Sequence, residues 1–186
     1  MPSFSSCAAA LVVAVVFAAL AGPASAEPIR IVALGDSLTA GYGLEEAEGL
    51  VSVLQRVLRS RGHDVEIINA GVSGDTATSA LARFDWAVPP DVDGVIVELG
   101  ANDALRGIDP AETSTALEEI VRRARARKAE VLVAGMAAPR NYGHAYAEAF
   151  GSMFPRIAER YGAIIYPFFL EGVALDPQLN QPDGLH

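Results

Sequence analysis

Apolar residues gather in five short runs, at 29–34, 65–70, 94–99, 131–136 and 163–168, with longer mixed stretches between them. The runs are rich in β-branched residues and lack the strict alternation of a strand with one wet face. They suit strands covered on both faces, as in a parallel sheet. The stretches between them carry a helical period. Leu50, Val53, Leu54, Val57 and Leu58 share one face of a helix predicted to stop near Arg61-Gly62. A short helix is expected after Asp75-Thr76, with Asp75 as its cap. Over 113–128, Leu117, Ile120, Val121 and Ala124 share a face, and Thr113 or Ser114 is the expected cap. Over 145–160 a further helix is expected, bent or broken at Pro155. Trp86 and Val88-Pro89-Pro90 read as packing and a turn before the third strand. Strands alternating with helices imply a doubly wound α/β sheet with right-handed crossovers.

One apolar stretch fits neither period. Met1 to Ala21 contains no charged side chain, and Ala24-Ser25-Ala26 has the small residues of a cleavage site. Residues 1–26 therefore read as a secretory signal peptide cut after Ala26, although the usual early Lys or Arg is missing. The apolar run is too short to span a bilayer comfortably. Residues 27–186 form the mature domain, exported to the periplasm or the medium, and at this length they make one domain. The mature part carries the whole net charge of −9, which argues against nucleic-acid or anionic-lipid partners. Cys7, the single cysteine, leaves with the signal, so neither a disulfide nor a thiolate is expected. His63, His144 and His186 have no metal-ligand spacing, so a zinc site is not expected. Arg122, Arg123, Arg125, Arg127 and Lys128 read as a solvated helix face near a C-terminus. His63 reads as a surface residue, and His144 as one that could line a site.

The chemistry centres on Gly35-Asp36-Ser37-Leu38, where the first apolar run stops at a glycine and a serine follows. A tight turn there presents Ser37 as the strand leaves the sheet. In an open parallel sheet, sites form at the carboxyl ends of the strands, where strand order reverses. With strand one central, in the order 2-1-3-4-5, the loops at 69–75 and 98–103 converge on Ser37. Their glycine-rich turns offer backbone N–H groups and Asn102 offers a side-chain amide, donors suited to a developing oxyanion. A serine hydroxyl needs a base. His186 is the candidate, with Asp183 three residues before it to orient the ring. Ser73 is the rival nucleophile but lacks the strand-then-turn placement. Asp36 and Asp103 read as loop-shaping acids.

Gly35-Asp36-Ser37-Leu38, Gly71 within Asn-Ala-Gly-Val-Ser-Gly-Asp, Gly100-Ala101-Asn102-Asp103 and Asp183-Gly184-Leu185-His186 resemble, in order, the four motif blocks of the SGNH (GDSL) hydrolases. Val97-Glu98-Leu99-Gly100, Leu105-Arg106-Gly107, Asn141-Tyr142-Gly143 and Pro167-Phe168-Phe169 look like the branch of arylesterases and thioesterase I/lysophospholipase L1 proteins. The resemblance implies a flavodoxin-like three-layer α/β/α sandwich on a five-stranded parallel sheet. It implies Ser37 as nucleophile, His186 as general base and Asp183 as its orienting carboxylate. Ser37 N–H, Gly71 N–H and the Asn102 side chain would form the oxyanion hole, without metal or organic cofactor. The family continues past the histidine with a proline and a final helix, whereas this chain stops at His186. A carboxy-terminally truncated fragment is therefore expected, with His186 on a fraying end, one sheet face uncovered and weak or absent activity. The expected function is that of an exported, monomeric esterase acting on small ester or lipid substrates through an acyl-enzyme. A carbohydrate O-acetyl esterase is the alternative, and a nucleotide- or flavin-binding module a more distant one.

Overall fold

A computed structural model describes residues 27–186, so the expected signal peptide and Cys7 lie outside the described residues. Five strands, β1 (Ile29–Gly35), β2 (Val65–Gly71), β3 (Gly94–Glu98), β4 (Glu130–Ala134) and β5 (Ile164–Tyr166), form one parallel sheet in the order β2-β1-β3-β4-β5. The expected topology is the observed one. β1 is central and pairs with β2 from Ile29↔Val65 to Gly35↔Gly71, and with β3 from Ile31↔Gly94 to Gly35↔Glu98. The ends of these three strands thus lie level, which is what brings distant loops together above Ser37.

Among the described residues seven α-helices connect and cover the strands: α1 (Ser37–Ala40), α2 (Leu50–Ser60), α3 (Ala77–Ala82), α4 (Phe84–Ala87), α5 (Ala101–Leu105), α6 (Pro110–Ala126) and α7 (His144–Tyr161). The two sheet faces are covered unequally. On one, Val32, Leu34, Val95, Val97, Val131 and Val133 meet the buried faces of α6 and α7 in the main core. On the other, α2 packs Val51, Leu54 and Leu58 over Ile31, Ala33, Val65 and Ile67. Beyond the reach of α2, Ile164 and Tyr166 stay about half exposed. The sequence-derived face of α2 is shifted: Val51 is buried, whereas Val57 turns outward.

Three other expectations are corrected. α6 begins at Pro110, where Asp109 caps Ala111 N–H at 2.9 Å and a proline at the first position needs no N–H partner. Thr113 is therefore an interior residue. α7 runs unbroken through Pro155, because Phe150, Met153, Phe154 and Ile157 anchor it in the core on both sides of the proline. Packing outweighs one missing backbone hydrogen bond. Trp86 does not pack inward; it is 75% exposed, with the Arg83 guanidinium 6.0 Å from its ring. The basic stretch on α6 is ion-paired at the surface, Arg122 and Arg123 with Glu119 and Arg127 with Asp85.

Candidate active site

β1 delivers the chain directly into α1. Asp36 caps that single turn, accepting Leu38 N–H at 3.1 Å, and this fixes Ser37 at its first position. The Ser37 N–H points out of the helix start and finds no acceptor among the described residues.

His186 meets Ser37 across 149 residues of sequence, with Nε2 2.8 Å from Oγ. Its other ring nitrogen, Nδ1, lies 2.7 Å from Asp183 Oδ2. Asp183 Oδ1 also accepts the N–H groups of Leu185 at 2.9 Å and His186 at 3.0 Å. The hydrogen bond from His186, then those from the two backbone N–H groups, hold the Asp183 carboxyl down at about 2. The carboxylate is thus ionised at neutral pH, which favours a proton on Nδ1 and leaves Nε2 free to accept from the serine. These bonds close Asp183 to His186 into a tight turn.

The other face of the site holds the donors. Asn102, on α5, gives one Nδ2 hydrogen to Asp36 Oδ2 at 3.2 Å and lines the cavity. Gly71 is not where the motif reading put it. Its N–H is donated to Asn69 Oδ1 at 2.9 Å, and it does not line the cavity. A side chain at Gly71 would run into the backbone of Thr39 and Ala40, so this glycine admits the close approach of α1 to β2. Gly74, three residues on, lines the cavity instead. It stands at φ +87°, and its N–H has no acceptor among the described residues. The sequence signal was present, as Gly71 and Gly74 flank the same loop, but residue type cannot say which amide points inward.

Buried acids underlie the site. Glu98, fully buried at the end of β3, accepts Thr39 Oγ1–H at 2.7 Å, and its Oε1 has no partner among the described residues. Burial, and then the neighbouring Asp36 carboxyl, push Glu98 up to about 8. Burial also raises Asp36. Asp103 is a loop-shaping acid, accepting Ala77 N–H at 3.0 Å and the Thr113 hydroxyl at 3.0 Å. Asp75 is not the cap of α3. That role falls to Thr76, whose side chain accepts Ser79 N–H, while Asp75 ion-pairs with buried Arg83 at 2.6 Å. Arg83 Nη2 donates to the carbonyls of Gly35 at 3.1 Å and Ala70 at 2.8 Å, bracing the ends of β1 and β2. Sequence reasoning missed both Glu98 and Arg83. For Glu98, a lone acid inside an apolar run was the available signal.

The cavity beside Ser37 and His186 measures about 630 Å³ and has a mostly apolar wall that includes Leu38, Leu105, Met136, Pro139, Phe168 and Leu170. It can take an acyl chain lying against Ser37. Ser73 also lines it, but makes no hydrogen bond to a histidine among the described residues. His144 lies outside it, exposed and 3.6 Å from Glu148. Among the described residues no group of three or more His, Cys, Asp and Glu side chains could hold a metal. None of the described helices is long and apolar enough to cross a membrane.

Known proteins resemble this chain over most of its length. The esterase TesA of Pseudomonas aeruginosa is 39% identical over 164 residues, covering 88% of this chain and 81% of that protein. The thioesterase 1/protease 1/lysophospholipase L1 of Escherichia coli K12 is 38% identical over 154 residues, covering 82% of this chain and 73% of its own length. Among solved structures, the SGNH-hydrolase family esterase AlinE4 superposes with a TM-score of 0.82 at 46% identity, covering 87% of each chain. Residues 33–186 match the GDSL-like lipase/acylhydrolase family, and the chain belongs to that family of carboxylic-ester hydrolases.

Proposed function

We propose that this protein is an exported serine esterase that works through an acyl-enzyme. The observation that carries the reading is the continuous contact from Ser37 Oγ through His186 to Asp183, at 2.8 and 2.7 Å. His186 Nε2 takes the hydroxyl proton as Oγ attacks the ester carbonyl carbon. Asp183 steadies the imidazolium that forms. The carbonyl oxygen becomes an oxyanion, which the Ser37 N–H, the Gly74 N–H and the free hydrogen on Asn102 Nδ2 are disposed to receive. The imidazolium then gives its proton to the departing alkoxide. Water, activated by the same histidine, releases the acid from Ser37.

Aryl esters and short-to-medium acyl esters fit an apolar cavity of about 630 Å³. The named relatives make thioesters and lysophospholipids further substrates to assay. The apolar wall favours this reading over a carbohydrate O-acetyl esterase, whose carrier would need polar partners. A fluorophosphonate probe is expected to label the wild type and not Ser37→Ala; equal labelling of both overturns the assignment. Export, with cleavage after Ala26, and a monomeric state belong to the same proposal. Exported protein that still begins before Glu27 on amino-terminal sequencing overturns the cleavage site.

A further inference from the structure

Ser37 and His186 belong to segments that share no strand pairing and lie at opposite ends of the described chain. A hydrogen bond between two side chains does not by itself set the position of either backbone. Four further hydrogen bonds do. Tyr42 N–H donates to the Ser37 carbonyl at 3.0 Å, just after α1. The Tyr42 carbonyl accepts Gln181 Nε2–H at 2.7 Å. Gln181 N–H donates in turn to the His186 carbonyl, and the Gln181 carbonyl accepts Gly184 N–H at 3.0 Å. The Tyr42 ring also lies against the His186 imidazole, with centroids 4.7 Å apart and planes inclined by 34°. Gly43, at φ +76°, leaves room for the Gln181 amide, which a side chain there would strike.

We infer that Tyr42 and Gln181 are positioning residues that clamp the histidine-bearing turn to the nucleophile helix and hold the imidazole in register with Ser37. The inference rests on the esterase reading of the site. Neither residue supplies a proton or an oxyanion donor. Gln181 sets the distance between the two segments through backbone groups, and the Tyr42 ring limits rotation of the imidazole. Misplacement of a catalytic group by about 1 Å can cost on the order of a hundredfold in rate, so their loss should fall on turnover rather than on substrate binding.

The experiment measures kcat, KM, the rate of fluorophosphonate labelling and the thermal midpoint for wild type, Gln181→Leu, Gln181→Glu, Tyr42→Ala and Tyr42→Phe, with a soluble short-chain aryl ester. Gln181→Leu, Gln181→Glu and Tyr42→Ala are expected to lower kcat and the labelling rate together by roughly 10- to 100-fold, with KM within about twofold. Tyr42→Phe, which keeps the ring, is expected to recover most of the loss seen in Tyr42→Ala. A Gln181→Leu enzyme that keeps kcat within twofold overturns the inference. So does a loss matched by a collapse of the thermal midpoint in every variant. Failure of the esterase reading looks different, since Ser37→Ala would then label as wild type does. In that case the clamp is read from the His186 imidazole nitrogen resonances, one of three histidines to assign. A tautomer that is fixed in wild type and averaged in Gln181→Leu supports it, and identical spectra overturn it.

Discussion

Glu98 Oε2 accepts the Thr39 hydroxyl at 2.7 Å, so a buried carboxyl supports the helix that carries Ser37 from below. Burial, then the nearby Asp36, raise Glu98 from an ordinary 4.5 to about 8, so at neutral pH the folded protein keeps it protonated and the unfolded chain does not. Its contribution to stability is complete below pH 4.5 and is lost as pH rises through about 8. Urea denaturation between pH 5 and about 8.5 should show stability falling with pH in wild type and a flatter profile in Glu98→Gln, which stays neutral. Parallel profiles for the two proteins would count against a protonated Glu98.

Asp36 and Asn102 form the next layer. The 3.2 Å bond from Asn102 Nδ2 aims the amide, and the same Asp36 caps α1 through Leu38 N–H. Asn102→Ala should lower kcat by roughly a hundred- to a thousandfold with little change in KM, as for loss of one oxyanion donor. Asp36→Ala should lose activity in the same sense and also stability, about 1 kcal/mol of it from the missing cap. Steady-state kinetics and chemical denaturation separate the two effects.

Gly71 and Gly74 should respond in opposite ways. A Cβ at Gly71 meets the backbone of Ala40, which cannot move aside as a side-chain end would. Gly71→Ala should therefore destabilise the protein by about 1–3 kcal/mol, measured by urea melts, whereas the surviving folded fraction keeps its KM. Gly74→Ala has open space at its Cβ apart from the Arg106 guanidinium end, so its effect should concentrate on kcat, through the strained φ of +87° and the aim of the N–H. Equal kcat losses in both variants would remove the distinction between them.

The Asp75–Arg83 pair is nearly enclosed, with side chains 12% and 9% exposed. Removing one partner strands the other, so Arg83→Leu should cost about 3–5 kcal/mol of stability. Asp75→Asn with Arg83→Leu should cost less than the sum of the two single changes, since neither charge is left alone. A double-mutant cycle by urea denaturation measures the difference.

Asp183 is held at about 2 by the His186 hydrogen bond, so its depressed value places its own titration well below the range in which esters are assayed. Its share of stability is present above the ordinary carboxylate value near 3.8 and is lost only as pH falls through about 2. Asp183→Asn should lower kcat throughout pH 5 to 9 by up to about ten-thousandfold, because the ring loses its tautomer partner, without moving the acid limb of the profile to follow Asp183. A pH–rate series on both proteins checks this.

Periodicity alone carried the α/β class, because β-branched runs buried on both faces and amphipathic helices leave local signatures that no partner is needed to read. Ser37, Asn102, Asp183 and His186 pointed to ester chemistry through their side-chain types, and the order of their blocks did so through a resemblance to the SGNH hydrolases. What the line of residues left undecided were choices between local preference and packing. Pro155 stays inside α7 because core side chains on both sides of it hold the helix. Thr113 serves Asp103 rather than a helix start, and Asp75 serves Arg83. The unbonded, cavity-lining amide of Gly74 in place of the bonded one of Gly71, the raised Glu98 and the Tyr42–Gln181 clamp depend on directions and burial set by three strand ends lying level. Residue type determines which group can donate, accept or titrate. Only the folded backbone determines which of them face the same cavity, because a backbone N–H carries no mark of its direction in the sequence.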